Sequence, residues 1–230
     1  MEPKSIYQII NNSTLTFQKR KKVPPKKERF IMTAQLKELF NTEAKKYYLL
    51  ENRNFIVNED NKSFLNIFCK YFSQDPDFET SHKGELRKGL FVFGSQGTGK
   101  TSSFKIMQNV SKEYSLKQVW TPIVYTQKVV EQFNLAESGK TDYVIQYFSK
   151  GKFMFDDLGA EKEASNFGKE DIFGRIMELR YNQFLQKGTK TFVTSNLNFE
   201  DIKNRYGTRL YDRFYQMFNV LELGGESKRF

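Results

Sequence analysis

The residues with the most evident chemistry lie between two apolar runs, in LFVFGSQGTGKTSSFKI at residues 90–106. Gly94, Ser95, Gln96, Gly97, Thr98, Gly99, Lys100 and Thr101 fit G-x-x-x-x-G-K-[ST], with Gly97 as an additional glycine inside the loop and Ser102 directly after it as a further nucleotide contact. A glycine-rich turn between a strand and a helix offers successive backbone N–H groups and the positive end of the helix to phosphate. Lys100 is placed to reach the β/γ oxygens of a nucleotide, and the Thr101 hydroxyl to ligate Mg²⁺. A second acidic element, FMFDDLG, puts Asp156 and Asp157 at the end of an apolar run. Asp156 is expected to hold Mg²⁺ and Asp157 to polarise an attacking water. The competing reading makes the pair a polar strand end that caps the next turn. Asn196 closes TFVTSN, where its amide would align that water or donate to the γ-phosphate, unless it only caps the strand. Arg209 and Arg213 are four apart in YGTRLYDRF and share a helix face, from which either guanidinium would enter a neighbouring subunit's site as an arginine finger or stay solvated.

These groups need a scaffold. Helical spacing over 33–50 and 60–72 predicts helices, with Leu36, Leu39, Phe40, Ala44, Tyr47 and Tyr48 at helical spacing in the first stretch and Phe64, Ile67, Phe68 and Phe72 on one face of the second, and residues 73–88 read as polar turn material. Strands are expected at 90–93, 119–126, 152–159, 191–196 and 220–225. Helices are expected after the glycine loop, in two pieces across 129–148 broken near Gly139, and at 171–186 with Gly188 as the stop. Strands alternating with helices specify an α/β fold: a parallel sheet with helices on both faces, a three-layer αβα P-loop core. Ligands of such a sheet bind at the carboxyl ends of its strands, where Asp156 and Asp157 fall.

The 230 residues carry 37 Lys or Arg against 27 Asp or Glu, a net charge of +10. The excess is concentrated at the start: residues 1–40 hold nine Lys or Arg and three Glu, mostly within QKRKKVPPKKER at 18–29. Pro24 and Pro25 oppose a continuous helix there, so this is a basic arm, suited to phosphates of a nucleic acid or to a solvated tail. No apolar run approaches the roughly 18 to 20 residues of a membrane span, and no secretory leader is evident, so the expected location is cytoplasmic with no membrane partner. One cysteine, Cys69, and one histidine, His82, supply neither a disulfide nor a zinc site; Cys69 is expected buried and His82 at the surface.

Taken in order, GSQGTGKT, FMFDDLGAE, TFVTSNL, YGTRLYDRF and LGGESKR resemble the AAA+ ATPases of the DnaC/DnaI helicase-loader and IstB group, over residues 84–230. The resemblance implies an ATP- and Mg-dependent ATPase domain at 84–230, preceded by an arm-and-helix region at 1–83 that contacts a partner or DNA. It implies Arg213 as a finger in trans, Arg229 as a sensor-2-like contact to nucleotide, and a homo-oligomeric ring or filament on DNA, single-stranded in a loader. The partner would be a replicative helicase, or a transposase on duplex DNA in the IstB alternative. Two departures matter. Asp157 stands where most AAA+ proteins have Glu, which implies slow hydrolysis, and the sequence after LGGESKR is too short for a helical lid domain, so closure would fall to a neighbour. A P-loop small-molecule kinase is disfavoured, since it would need an arginine-bearing lid and would leave TSN without a purpose. A nucleotide-switched binding module differs from the ATPase only in whether Asp157 supports turnover.

Overall fold

The computed structural model describes residues 31–137, 140–161 and 171–228. The basic arm, Gly139 and Arg229 lie outside the described residues. Five strands, β1 (Gly89–Phe93), β2 (Ile123–Tyr125), β3 (Phe153–Asp156), β4 (Thr191–Ser195) and β5 (Phe218–Glu222), form one sheet in the order β2-β3-β4-β1-β5. Every pairing is parallel, with Leu90 opposite Phe192, Met154 opposite Phe192 and Phe91 opposite Val220.

Parallel strands covered on both faces must be apolar on both, and β1 is: Leu90, Phe91 and Val92 are each fully buried. The period of two divides them. Leu90, Val92, Met154 and Phe192 face one layer, whereas Phe91, Phe155 and Val193 face the other. The first layer holds helices α1 (Thr33–Leu49), α2 (Glu59–Phe72), the short α3 (Asp77–Thr80) and α4 (Lys100–Glu113). In α1 the buried stripe Leu36, Phe40, Ala44, Tyr48 repeats every four residues, the spacing of one helix face. Thus α1 and α2, which precede Gly84, share one core with the sheet. The opposite layer holds α5 (Thr126–Leu135), α6 (Thr141–Ser149), α7 (Ile172–Lys187), α8 (Phe199–Tyr206) and α9 (Thr208–Met217).

Local signals set most boundaries. The Asp171 side chain accepts from the Gly174 N–H at 2.9 Å to start α7, and Gly188 ends it at φ +64°. Asn198 and Asp201 cap α8 reciprocally, at 2.9 and 3.1 Å. Four expectations needed adjustment. The strands expected over 152–159 and 220–225 are cut short, since β3 ends at Asp156 and β5 begins at Phe218 and ends at Glu222. Residues 73–88 are not all turn, because α3 buries Phe78 against the sheet layer. The strand expected over 119–126 shortens to three residues: Lys117–Val119 is a 3₁₀ turn, Pro122 contributes only its carbonyl, at 2.8 Å from the Met154 N–H, and Thr126 already begins α5. His82 is half-buried, its Nε2 3.2 Å from Lys70 Nζ. Cys69 is buried as expected, and burial pushes its thiol up to about 12. Arg180, fully buried without a carboxylate, donates to Phe148 O and Gly151 O at 2.7 Å and to Thr191 Oγ1 at 2.8 Å, tying α7 to the entries of β3 and β4.

Candidate nucleotide site

The parallel order places the ends of β1, β3 and β4 side by side, and each delivers one part of the site. After β1 the chain turns through Gly94 (φ +148°), Gly97 (φ +85°) and Gly99 (φ +106°) into α4, which begins at Lys100. Gly99 and Gly97 occupy backbone conformations that a side chain would strain. Thr98 braces the turn by donating to Ser95 O at 3.0 Å. A helix leaves the N–H groups of its first turn pointing along the axis beyond its end, an arrangement suited to an anion, and α4 directs that end at the glycine loop.

Lys100 is 5% exposed and points back across the loop. Its ammonium donates to Gly94 O at 2.7 Å, to Ser95 O at 2.8 Å and to Asn196 Oδ1 at 2.8 Å. The glycine loop and the end of β4 are therefore joined through the one cation that the motif supplies. Because Asn196 Oδ1 faces Lys100, the Nδ2 end of that amide is free in orientation to serve as a donor toward the cleft.

From β3, Asp156 is 1% exposed, and its Oδ1 accepts from Thr101 Oγ1 at 2.7 Å and from Thr194 Oγ1 at 2.6 Å. Burial raises its carboxyl above the ordinary aspartate range, the two hydroxyls pull the other way, and neighbouring Asp157 adds to the rise. A serine or threonine hydroxyl against a buried carboxylate is the donor set of a Mg²⁺ shell in P-loop proteins, and Thr101 with Asp156 fits it. Asp157 then leaves the strand at φ +59°, a left-handed turn that Asp tolerates. Two threonines hold that turn: the Asp157 N–H donates to Thr194 Oγ1 at 3.0 Å, and Thr126 Oγ1 donates to Asp157 O at 3.0 Å. Glu161 fastens the loop further on. It accepts from the Gly159 N–H at 2.7 Å and from the Tyr206 hydroxyl, and its backbone O accepts from Arg205 Nη2 at 2.7 Å.

Gln96, Gly97, Gly99, Lys100, Thr101, Ser102, Asp157 and Asn196 together line one cleft of about 90 Å³. The motif residues separated by up to a hundred positions in the chain thus converge. A second cavity of about 540 Å³ adjoins it, walled by Phe55, Asn58, Asn61, Phe64, Ile106 and Leu223 among others. Sequence reasoning missed this cavity, the segment 52–58 that forms it, and the threonines Thr126 and Thr194; only the buried hydroxyl of TSN carried a signal. The tail after β5 returns to the glycine loop. The Lys228 N–H donates to Gly97 O at 3.1 Å and the Leu223 N–H to Phe93 O at 2.8 Å, so the tail runs against the glycine loop. Gly97 is consequently needed on two sides, since a Cβ there would overlap Ser227.

Arg209 and Arg213 lie on α9 and do not line the cleft. Both meet Glu178 of α7, Arg213 at 2.9 Å and Arg209 at 3.2 Å. The Arg213 contact is an ion pair without hydrogen-bond alignment, since Nη1 lacks a hydrogen-bond partner; the guanidinium also lies over the Tyr181 ring, 5.0 Å from its centre. Side-chain exposure is 72% for Arg209 and 18% for Arg213.

A parallel sheet ordered β2-β3-β4-β1-β5, with a glycine loop after β1 and paired carboxylates after β3, has the fold of P-loop AAA+ domains. Solved structures with this fold include a proposed primosome component from Streptococcus pyogenes serotype M3, with 17% identity and a TM-score of 0.54 over 76% of this chain and 85% of that one. The DnaC helicase loader matches at 20% identity and TM-score 0.52 over 74% and 93% of the two chains, and DnaI at 20% and 0.50 over 74% and 87%. No family model and no curated protein matches the chain. Among the described residues no helix is long and apolar enough to cross a membrane.

Proposed function

We propose that this protein is a Mg-dependent ATPase of the helicase-loader kind, acting in the cytoplasm in DNA replication. The observation that carries the reading is the joint placement of Lys100, Asn196 and the Thr101–Asp156 pair around one cleft, with Asp157 on its wall. Lys100 would exchange the Gly94 and Ser95 carbonyls for β/γ-phosphate oxygens while keeping Asn196 in reach. Thr101 and Asp156 would hold Mg²⁺, which neutralises charge on those oxygens. Asp157, fixed by Thr126 and Thr194, would orient and polarise the water, and Asn196 would donate to the γ-phosphate side. The shorter Asp in place of Glu favours slow turnover.

The partners belong to the same proposal. The similar structures described as DnaC helicase loader and DnaI supply the fold analogy for a replicative helicase as partner. The basic arm supplies the charge for DNA phosphates, with single-stranded DNA as the substrate around which a ring or filament assembles. Completion by a neighbour fits the placement of Arg209 and Arg213 away from their own cleft.

Mixing tests the whole reading. Lys100→Ala subunits would keep their arginines and lose the pocket; Arg213→Ala or Arg209→Ala subunits would keep the pocket. An arginine finger contributes about 10³ to 10⁵ in rate. Each variant alone should be nearly inactive if it carries the essential group, and the finger variant mixed with Lys100→Ala should recover ATPase activity. Failure of both mixtures, with co-assembly shown by sedimentation, contradicts a finger in trans.

A further inference from the structure

We propose that Arg53, which belongs to none of the motifs, binds the nucleotide at its α-phosphate and ribose, with the Tyr48 ring behind it. The proposal rests on the nucleotide reading of the Lys100 cleft and extends it to a residue that the motifs do not reach.

The two adjoining cavities share three wall residues, Tyr48, Arg53 and Gly99. One cavity is polar and contains the phosphate-loop residues with Asp157 and Asn196, so it takes the β- and γ-phosphates. The other has room for a nucleoside and mixed walls, in which Phe55, Phe64, Ile106 and Leu223 offer apolar surface for a ring and Asn58 and Asn61 polar groups for its edge, so it takes the base. A nucleotide is linear in its parts, triphosphate, then ribose, then base. Whatever spans both cavities passes Tyr48, Arg53 and Gly99 with its α-phosphate and ribose. Arg53 is the cation at that junction.

Its present contacts suit such a role. The guanidinium lies over the Tyr48 ring, 5.0 Å from the centre, an arrangement that fixes its plane with little loss of charge. Nη1 donates to Lys228 O at 2.6 Å, and Nη2 pairs with Glu51. A guanidinium has five donors, so these partners leave capacity for an anion. Glu51 is 40% exposed at its side chain, and a pair so open to solvent contributes little and yields readily. Tyr48 is itself 8% exposed and stacked on Phe55 with ring centres 5.7 Å apart, so the platform is part of the core.

The contact to Lys228 O raises a rival explanation, that Arg53 only braces the tail. Arg53→Gln separates the two, because a glutamine amide can still donate to a carbonyl but carries no charge. In the full chain, titration with fluorescent ATP and ADP analogues should show both nucleotides weakened alike, about 10- to 100-fold, in Arg53→Gln and in Arg53→Ala. Arg53→Lys, which keeps the charge without the fork, should lose less. The melting temperature of nucleotide-free Arg53→Gln should stay at the wild-type value, with a smaller upward shift on adding ATP. Wild-type affinity in Arg53→Gln overturns the assignment. So does a lowered nucleotide-free melting temperature with an equal loss for neutral adenosine, which is the signature of a brace. Loss confined to ATP would move Arg53 to the γ end and also overturn it. Lys100→Ala serves as the reference: if it binds ATP like the wild type, the underlying nucleotide reading fails, whatever Arg53 does.

Discussion

Gly97→Ala perturbs the phosphate loop by a single methyl, and the structure sets its cost in two parts. Gly97 has φ +85°, where an L-residue costs about 1 to 2 kcal/mol. The methyl would also overlap Ser227 Oγ and stand 3.0 Å from Ser227 Cβ and 3.2 Å from its Cα, an overpacking worth about 1 to 3 kcal/mol if nothing moves. The tail can escape by undocking, which forfeits the bond from the Lys228 N–H to Gly97 O and the one from Arg53 to Lys228 O. Those bonds are worth about 1 to 3 kcal/mol together, so undocking caps the second part at a similar size. Urea denaturation should therefore show Gly97→Ala destabilised by about 2 to 5 kcal/mol. Ser227→Gly removes the Oγ and Cβ that the methyl meets but leaves the backbone conformation of Gly97 unchanged. The double variant should recover about 1 to 2 kcal/mol relative to the sum of the single changes, leaving the conformational part unrelieved. Strict additivity of Gly97→Ala and Ser227→Gly would refute the claim that the tail packs against the loop at this glycine.

Two further outcomes follow from buried groups. Burial and nearby Lys190 lower the Lys152 ammonium to about 8, and its Nζ donates to Gln118 O at 3.1 Å. Between about pH 8 and 10.5 the unfolded chain binds more protons than the folded one, so stability should rise with pH there. Lys152→Met should accordingly add about 1 to 2 kcal/mol at pH 7, allowing for solvent screening, and lose that advantage by pH 10.5 in urea titrations. Glu161 holds the loop behind Asp157 through Gly159, Arg205 and Tyr206, so Glu161→Ala should lower kcat about 10- to 100-fold while nucleotide affinity stays at the wild-type value. In an Asp157→Asn background the same change should have no further effect on kcat, and an undiminished effect there would separate Glu161 from Asp157.

The sequence carried the parts of this molecule in which local chemistry and periodicity agree. LFVF before a glycine loop can be little else than a buried strand, and the αβα layering follows from strands alternating with helices. The convergence of Lys100, Asp156 and Asn196 was legible because parallel strands present their carboxyl ends on one side, so a motif after each strand falls in one place. What the sequence hid were contacts between segments without motifs. Nothing in ENRNF marks Arg53 as a wall of the cleft, because its position depends on how α1 packs against the sheet. Thr126 was read as the end of a strand, yet its hydroxyl holds the Asp157 turn. The paired arginines were placed on a common helix face correctly, but their unequal exposure comes from Tyr181 and Glu178 on α7, about thirty residues earlier in the chain and unrelated by any spacing rule.

The central claim is that residues 94–102 hold the phosphates of ATP with Lys100 as the indispensable cation. Calorimetric titration of the full chain with ATP and Mg²⁺ tests it most directly. Wild type should bind one ATP per chain, Lys100→Ala should give no measurable binding, and Asp157→Asn should bind as the wild type does while failing to release phosphate. Equal binding of ATP by wild type and Lys100→Ala, or no binding by the wild type, would contradict the account.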